Sequence, residues 1–199
     1  DEFQDTSLAD YTFIKALLKK TANSVSSEPK LYCVGDDWQS IYGFRGSESY
    51  LMNDFDKHFN HSSNKSTSIK LDTTFRFDNN INDVTSNFLQ KNPNQIPKKL
   101  ISIIKKKSPS VFLHWIEPMS MEDSILQWVS KYSKDKKYNN KNLLILYRYN
   151  KKDSNEKERF NNKIHQNIIN SWKGNGVVSF KTLHKSKGTE SDVVLIAGV

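Results

Sequence analysis

Cysteine is nearly absent from this sequence: Cys33 is the only one in 199 residues. A disulfide framework within the chain is excluded, and a lone thiol inside an apolar run reads as a small core residue in a reducing compartment. No apolar stretch approaches the roughly 18 residues that a membrane-spanning helix requires. No signal peptide is visible. His and Cys never cluster at metal-ligand spacing. No Ser-His-Asp arrangement can be argued, and there is no internal repeat or heptad run. What remains is a polar globular composition, 36% hydrophobic and 26% charged, with a formal net charge of +8. That balance suits a polyanionic partner, although lysine-rich composition alone produces similar values.

The informative stretch is Leu31–Ser47, LYCVGDDWQSIYGFRGS. Leu31-Tyr32-Cys33-Val34 has the length of a buried strand. Gly35 and Asp36-Asp37 follow it. Then come Trp38, Gln39, Tyr42, Phe44 and Arg45, closed by Gly46. Aromatic faces stack on bases, and amide or guanidinium groups read phosphate oxygens. In open α/β sheets such groups belong beyond the carboxyl ends of strands.

Several blocks in this order resemble the superfamily 1 helicases of the UvrD/Rep type. DEFQDTS at Asp1–Ser7 is similar to motif II, the Walker B box. GDDWQSIYGFRG at Gly35–Gly46 resembles motif III, commonly GDxxQSIYxFRG. LDTTFRF at Leu71–Phe77 looks like motif IV, and TLHKSKGTE at Thr182–Glu190 like motif V. The DDWQ variant of motif III resembles the helicase IV branch. So does the short path from Arg76 to Thr182, which has no room for the large helical subdomain of the UvrD/Rep/PcrA enzymes.

The resemblance implies ATP and Mg²⁺ as cofactors and single-stranded DNA, or single/double-strand junctions, as partner. Asp1 takes the metal role and Glu2 that of the base polarising the attacking water. Gln39 senses the γ-phosphate. Phe75 packs on the adenine, and Arg76 reaches the γ-phosphate as an arginine finger. Gly188 permits close backbone approach, and Glu190 meets the ribose hydroxyl. Tyr42, Phe44, Arg45, Thr182 and His184 lie along the DNA. Gln4 and Asp5 tie the box to neighbouring loops, while Trp38 has no assigned role. Phe75 replaces the usual Tyr, and Thr189 and Ser191 stand where a hydrophobic and an aromatic residue are usual. Lys98-Lys99 and Lys105-Lys106-Lys107 suggest a DNA contact, but a solvated loop is the simpler reading.

The implied fold is α/β, with RecA-like motor domains built on a mostly parallel sheet flanked by helices. Residues 1–63 would be the C-terminal part of the first domain. Residues 64–199 would be most of the second, stopping before motif VI, with the boundary at the Ser/Asn-rich HSSNKST. Helices are expected from Leu8 to about Lys20 with Leu8, Tyr11, Ile14, Leu17 and Leu18 inward, from Ser47 to about Phe59, after an Asp78 cap, after a Ser120 and Asp123 cap with Ile125, Val129 and Tyr132 inward, and over Glu156–Ile169. Strands are expected at Ser68–Leu71, Val111–Ile116, Asn142–Tyr147, Val177–Phe180 and Val193–Ala197, in one sheet. Residues 1–59 lack a parent sheet and should be less ordered or pack on a partner.

The implied activity is a 3′–5′ ATP-dependent DNA helicase, cytoplasmic and associated with DNA repair. The rival readings are a non-catalytic nucleic-acid-binding module and the helicase part of a helicase–nuclease. A GxxxxGK[ST] loop is missing from these residues; GNG at Gly174–Gly176 is too short to serve. The sequence is therefore expected to be part of a longer protein whose N-terminal Walker A segment completes the site. These 199 residues alone should show no DNA-stimulated ATP hydrolysis, because the phosphates lose their backbone cradle and lysine. Turnover by the purified segment would contradict this.

Overall fold

A computed structural model describes residues 1–24, 29–59, 66–115, 121–148 and 162–198. They form two compact units, Asp1–Leu113 and His114–Val199. Most of the expected boundary at 61–67 lies outside the described residues, and the motif IV segment groups by contact with the first unit.

The second unit has the clearer core. Strands β3 (Leu143–Tyr147), β4 (Val178–Thr182) and β5 (Val193–Ala197) form a parallel sheet in the order β4-β3-β5. Every residue of β3 is buried, as expected for a central parallel strand written as a continuous apolar run. Helices α5 (Met121–Tyr132) and α6 (Asn162–Trp172) supply Ile125, Val129, Ile168 and Trp172 to the cluster around Leu143, Ile145 and Tyr147. α6 runs past the expected Ile169 because Trp172 is fully buried and its indole N–H donates to Lys141 O at 2.8 Å. The expected start of this helix, with Phe160, and the Ser120 cap lie outside the described residues. The GNG turn is structural. A Cβ on Gly176 would sit 2.5 Å from Lys141 O, and buried Asn175 donates to Ser133 O at 2.8 Å.

The first unit is held more loosely. Ser7 and Asp10 form a reciprocal capping box at the start of α1 (Leu8–Ser24), with Ser7 N to Asp10 Oδ2 at 3.0 Å and Asp10 N to Ser7 Oγ at 3.2 Å. The helix therefore forms as expected, but it buries none of its residues; Leu8 and Leu17 are more than half exposed. Of the expected inward face, Tyr11, Ile14 and Leu18 are half-buried, with the Tyr11 ring edge-on to Phe59 at 5.2 Å and its hydroxyl donating to His58 O at 3.3 Å. Leu31–Val34 is not a strand either. It is extended chain whose Val34 O accepts Phe3 N at 2.9 Å, with Tyr32 88% exposed. The expected 47–59 helix is broken at Asp54 into α2 (Tyr50–Asn53) and α3 (Phe55–Phe59). The break lets Phe55 and Phe59 both pack edge-on to Phe3, at 5.8 and 5.6 Å between ring centroids.

The five strands are not one sheet. β1 (Thr73–Asp78) and β2 (Ile101–Ile104) make a separate two-stranded parallel sheet in the first unit. Ser68–Leu71 stays outside it, with Ile69 80% and Leu71 83% exposed; pairing starts later, over the β-branched and aromatic TTFRF. Val111 to Trp115 is not a strand, because no neighbour pairs its backbone among the described residues. β2 was hidden inside the lysine-rich loop because its one buried residue is a serine. Ser102 Oγ donates to Phe77 O at 2.7 Å and accepts from Ile104 N at 3.1 Å. Asp78 caps α4 (Asn79–Leu89) as expected, accepting from Asn80 N and Ile81 N. Helical periodicity places Ile81, Val84, Phe88 and Leu89 on one face of α4, but Val84 and Phe88 are exposed.

Candidate nucleotide and DNA site

Gln4 is the polar centre of the first unit. It is 1% exposed, and a buried amide needs partners for both ends. Its Nε2 donates to Glu2 Oε2. Its Oε1 accepts Asp36 N at 3.0 Å. This places the base-candidate carboxylate and the motif III loop on opposite ends of one side chain. The approach is close enough to require glycine at Gly35, where a Cβ would lie 2.7 Å from Gln4 Oε1. The far end of motif III is tied as well. Glu48 N donates to Thr6 O at 2.9 Å, and Ser7 bridges Ser47.

Asp1 and Glu2 are both exposed. Glu2 has φ 54 and ψ 39, a left-handed conformation that costs a non-glycine residue about 1–3 kcal/mol and that clusters at functional sites. Asp36 then organises the next turn. Its carboxylate accepts Trp38 N at 3.2 Å and Gln39 Nε2 at 3.0 Å. Burial works against its charge, but hydrogen bonds from Lys98 and Gln39 outweigh it and hold the carboxyl below its ordinary value. Cys33, half-buried in the preceding extended segment, has its thiol pushed up by that burial.

Tyr42, Phe44 and Arg45 form one patch. The two rings meet edge to face at 6.3 Å, and the Arg45 guanidinium lies 5.5 Å from the Tyr42 ring centre. Phe44 is 72% exposed, so its ring is not part of a core. Phe75, on β1, is 71% exposed and Arg76 is exposed beside it. The β1–β2 register shifts between Thr74 and Asp78, across this pair.

In the second unit Thr182 ends β4, buried, with its hydroxyl accepting Lys185 N at 3.3 Å. That contact shapes the single 3-10 turn His184–Ser186, which leaves His184 exposed. Gly188 has φ 75 and Glu190 is exposed. The unusual Thr189 and Ser191 are satisfied locally. Thr189 Oγ1 donates to Ser186 O at 2.6 Å, and Ser191 Oγ to Asn142 O at 2.8 Å.

The UvrD/REP helicase N-terminal domain family model matches residues 1–60. DNA helicase IV of Escherichia coli (strain K12) is 33% identical over 199 residues, 100% of this chain and 25% of that protein. The chain belongs to the UvrD/Rep helicase family. Within the family, the ATP-dependent DNA helicase PcrA of Staphylococcus aureus is 30% identical over 154 residues, 75% of this chain and 19% of that protein. DNA helicase II of Haemophilus influenzae is 32% identical over 133 residues, 65% of this chain and 17% of that protein. The chain thus spans a quarter or less of the length of these UvrD/Rep relatives.

Sequence reasoning missed two participants. Lys98 is not part of a solvated loop; its ammonium pairs with both Asp36 and Asp37. Lys106 likewise pairs with Asp78 at 3.0 Å. The signal for Lys98 was the doubled aspartate of DDW, since two adjacent carboxylates at a buried turn call for a cation.

Asp78 gives a pH test. Burial disfavours its charge, but hydrogen bonds from Ser110, Lys106 and Ile81 N win and lower its carboxyl from the ordinary 3.8. A lowered folded-state value makes the contribution present above pH 3.8 and lost as pH falls through the folded value. Asp78→Ala should cost about 1–2 kcal/mol at pH 7, as loss of a helix N-cap does. The gap to wild type should hold from neutral pH to about pH 5 and narrow below pH 3.8, read by denaturant melts across pH.

Proposed function

We propose that this chain is part of an ATP-dependent DNA helicase that couples hydrolysis to 3′–5′ translocation on single-stranded DNA and to opening of single/double-strand junctions. One observation carries the reading. Buried Gln4 joins Glu2 to Asp36, and Asp36 in turn holds Gln39, so the proposed base and phosphate sensor belong to one hydrogen-bonded array. The identity to helicases named as acting on DNA supports the partner. A Walker A segment elsewhere in the same protein completes the phosphate site. A cytoplasmic protein of DNA repair is the setting this implies.

The residues fit the cofactors. Among the described residues no cluster of three or more His, Cys, Asp or Glu could cage a metal. The adjacent exposed carboxylates of Asp1 and Glu2 suit Mg²⁺, which keeps several waters and takes one or two carboxylates plus substrate phosphates. Asp1 would hold it, and the ion would neutralise charge developing on the phosphates. Glu2 orients and polarises the attacking water, Gln39 holds the γ-phosphate side of that water, and Gln4 fixes the Glu2 carboxylate. Phe75 offers an exposed face to the adenine. Arg76 gives its guanidinium to the γ-phosphate. Gly188 permits close approach of its own backbone to the nucleotide, and Glu190 accepts from the ribose hydroxyl. Tyr42 and Phe44 stack on bases at roughly 1–3 kcal/mol each, with Arg45 on the same path. His184 meets the DNA backbone from the turn that Thr182 supports.

Arg76 supplies the test. In the full-length protein, Arg76→Lys and Arg76→Ala should each lower ATPase turnover by on the order of a thousandfold, as for other arginine fingers. Lysine cannot reproduce the bidentate geometry. The residue is exposed, so melting should shift by less than about 1 kcal/mol. Retained turnover in both variants would remove the finger assignment. A large stability loss would make Arg76 a structural ion-pair partner.

A further inference from the structure

Two short segments, Asp36–Trp38 and Ile96–Lys98, are joined by several contacts that the nucleotide and DNA roles above do not use. Lys98 Nζ pairs with both Asp36 and Asp37. Its side chain is 21% exposed and that of Asp37 only 1%. Asp37 Oδ2 also accepts Ile96 N at 2.7 Å. The Trp38 indole N–H donates to Ile96 O at 3.3 Å, and Lys98 Nζ lies 5.2 Å from the Trp38 ring centre. This is not a surface ion pair. A carboxylate as buried as Asp37 is costly without its cation, so the two segments are held to one geometry. An ammonium engaged by two carboxylates is also poorly placed to serve a DNA phosphate.

What the segments carry gives the contact its meaning. Gln39 follows Trp38 directly, and its amide is held by Asp36. On the other side the chain runs from Lys98 into β2 at Ile101, which pairs with Thr73 of β1. Phe75 and Arg76 lie on β1. We propose that Lys98 is a positioning residue that locks the Gln39 turn to the β2–β1 pair, so that phosphate sensing at Gln39 and the guanidinium of Arg76 act in register. This rests on the function proposed above and gives Trp38 its role, as the indole that closes the lock.

The test uses the full-length protein, a single-stranded oligothymidylate and ATP. Lys98→Met should lower DNA-stimulated kcat by on the order of tenfold, the lower range for coupling between sites. KM for ATP and oligonucleotide affinity should stay within about twofold, and Lys98→Arg should recover most of the rate. If Lys98→Met folds poorly, Asp37→Asn/Lys98→Met removes both buried charges; its melting should recover while kcat stays low. Unchanged kcat in Lys98→Met, or full recovery of kcat in the double variant, would overturn the proposal. So would lost oligonucleotide affinity with a shallower salt dependence, which marks a phosphate contact, or a stability loss with kcat per folded molecule retained. Gln39→Ala and Arg76→Lys run in parallel. If both retain turnover, the functional reading itself fails and the lock falls with it; if both are inactive and Lys98→Met is normal, the lock alone fails.

Discussion

The first unit depends on one buried amide. Gln4 has neither water nor a core to retreat into, so each end must find a polar partner or cost free energy. Its two hydrogen bonds, to Glu2 and to the Asp36 N–H, decide where the motif II turn and the motif III turn stand relative to each other. The constraint propagates in both directions. Gly35 must be a glycine because the amide approaches its backbone so closely. Glu2 is held in a left-handed conformation that the surrounding bonds impose, Phe3 N to Val34 O among them. Asp36, fixed by its own N–H, turns its carboxylate to Trp38, Gln39 and Lys98.

The two units are stabilised by different physics. His114–Val199 has a conventional core, in which β3 is buried throughout and α5 and α6 pack Val129, Ile168 and Trp172 against its Leu143, Ile145 and Tyr147. Asp1–Leu113 has small aromatic and polar clusters instead: the Phe3–Phe55–Phe59 contacts, the Gln4 array and the Lys98 ion pairs. Much apolar surface stays exposed there, on α1, along Ile69–Leu71 and on Phe75. Phe75 and Arg76 of β1 are both exposed and so add little to this unit's core.

What the sequence made legible follows from these differences. Leu143–Tyr147 was readable because a buried central parallel strand is written as an apolar run. Val193–Ala197 was readable because it is an apolar, β-branched run, even though Val194 and Ile196 stay about half exposed, and Asp78 because a helix cap is local chemistry. β2 was not readable, since its single inward residue is Ser102, and neither was the division into two sheets, which depends on pairing between distant segments. Leu31–Val34 shows the opposite error: a strand-like run whose backbone has no ladder partner among the described residues. The site motifs gave the proposed roles of Glu2, Gln39 and Arg76 through resemblance. The hydrogen bonds that connect Glu2 and Gln39 appear only in three dimensions. The doubled aspartate at Asp36-Asp37 calls for a cation, but Lys98 lies far along the chain, so the local pattern could not say which one.

The most direct test of this account is amide hydrogen exchange at Asp36 in wild type and in Gln4→Met, which keeps the side-chain length and removes the amide. Loss of the Gln4 acceptor should speed exchange of the Asp36 N–H by on the order of tenfold or more. The Ile145 N–H, in the buried central strand of the other unit, serves as an internal reference and should keep its protection. Unchanged protection at Asp36 in Gln4→Met would show that the buried amide does not hold the two motif turns together, and would contradict the account.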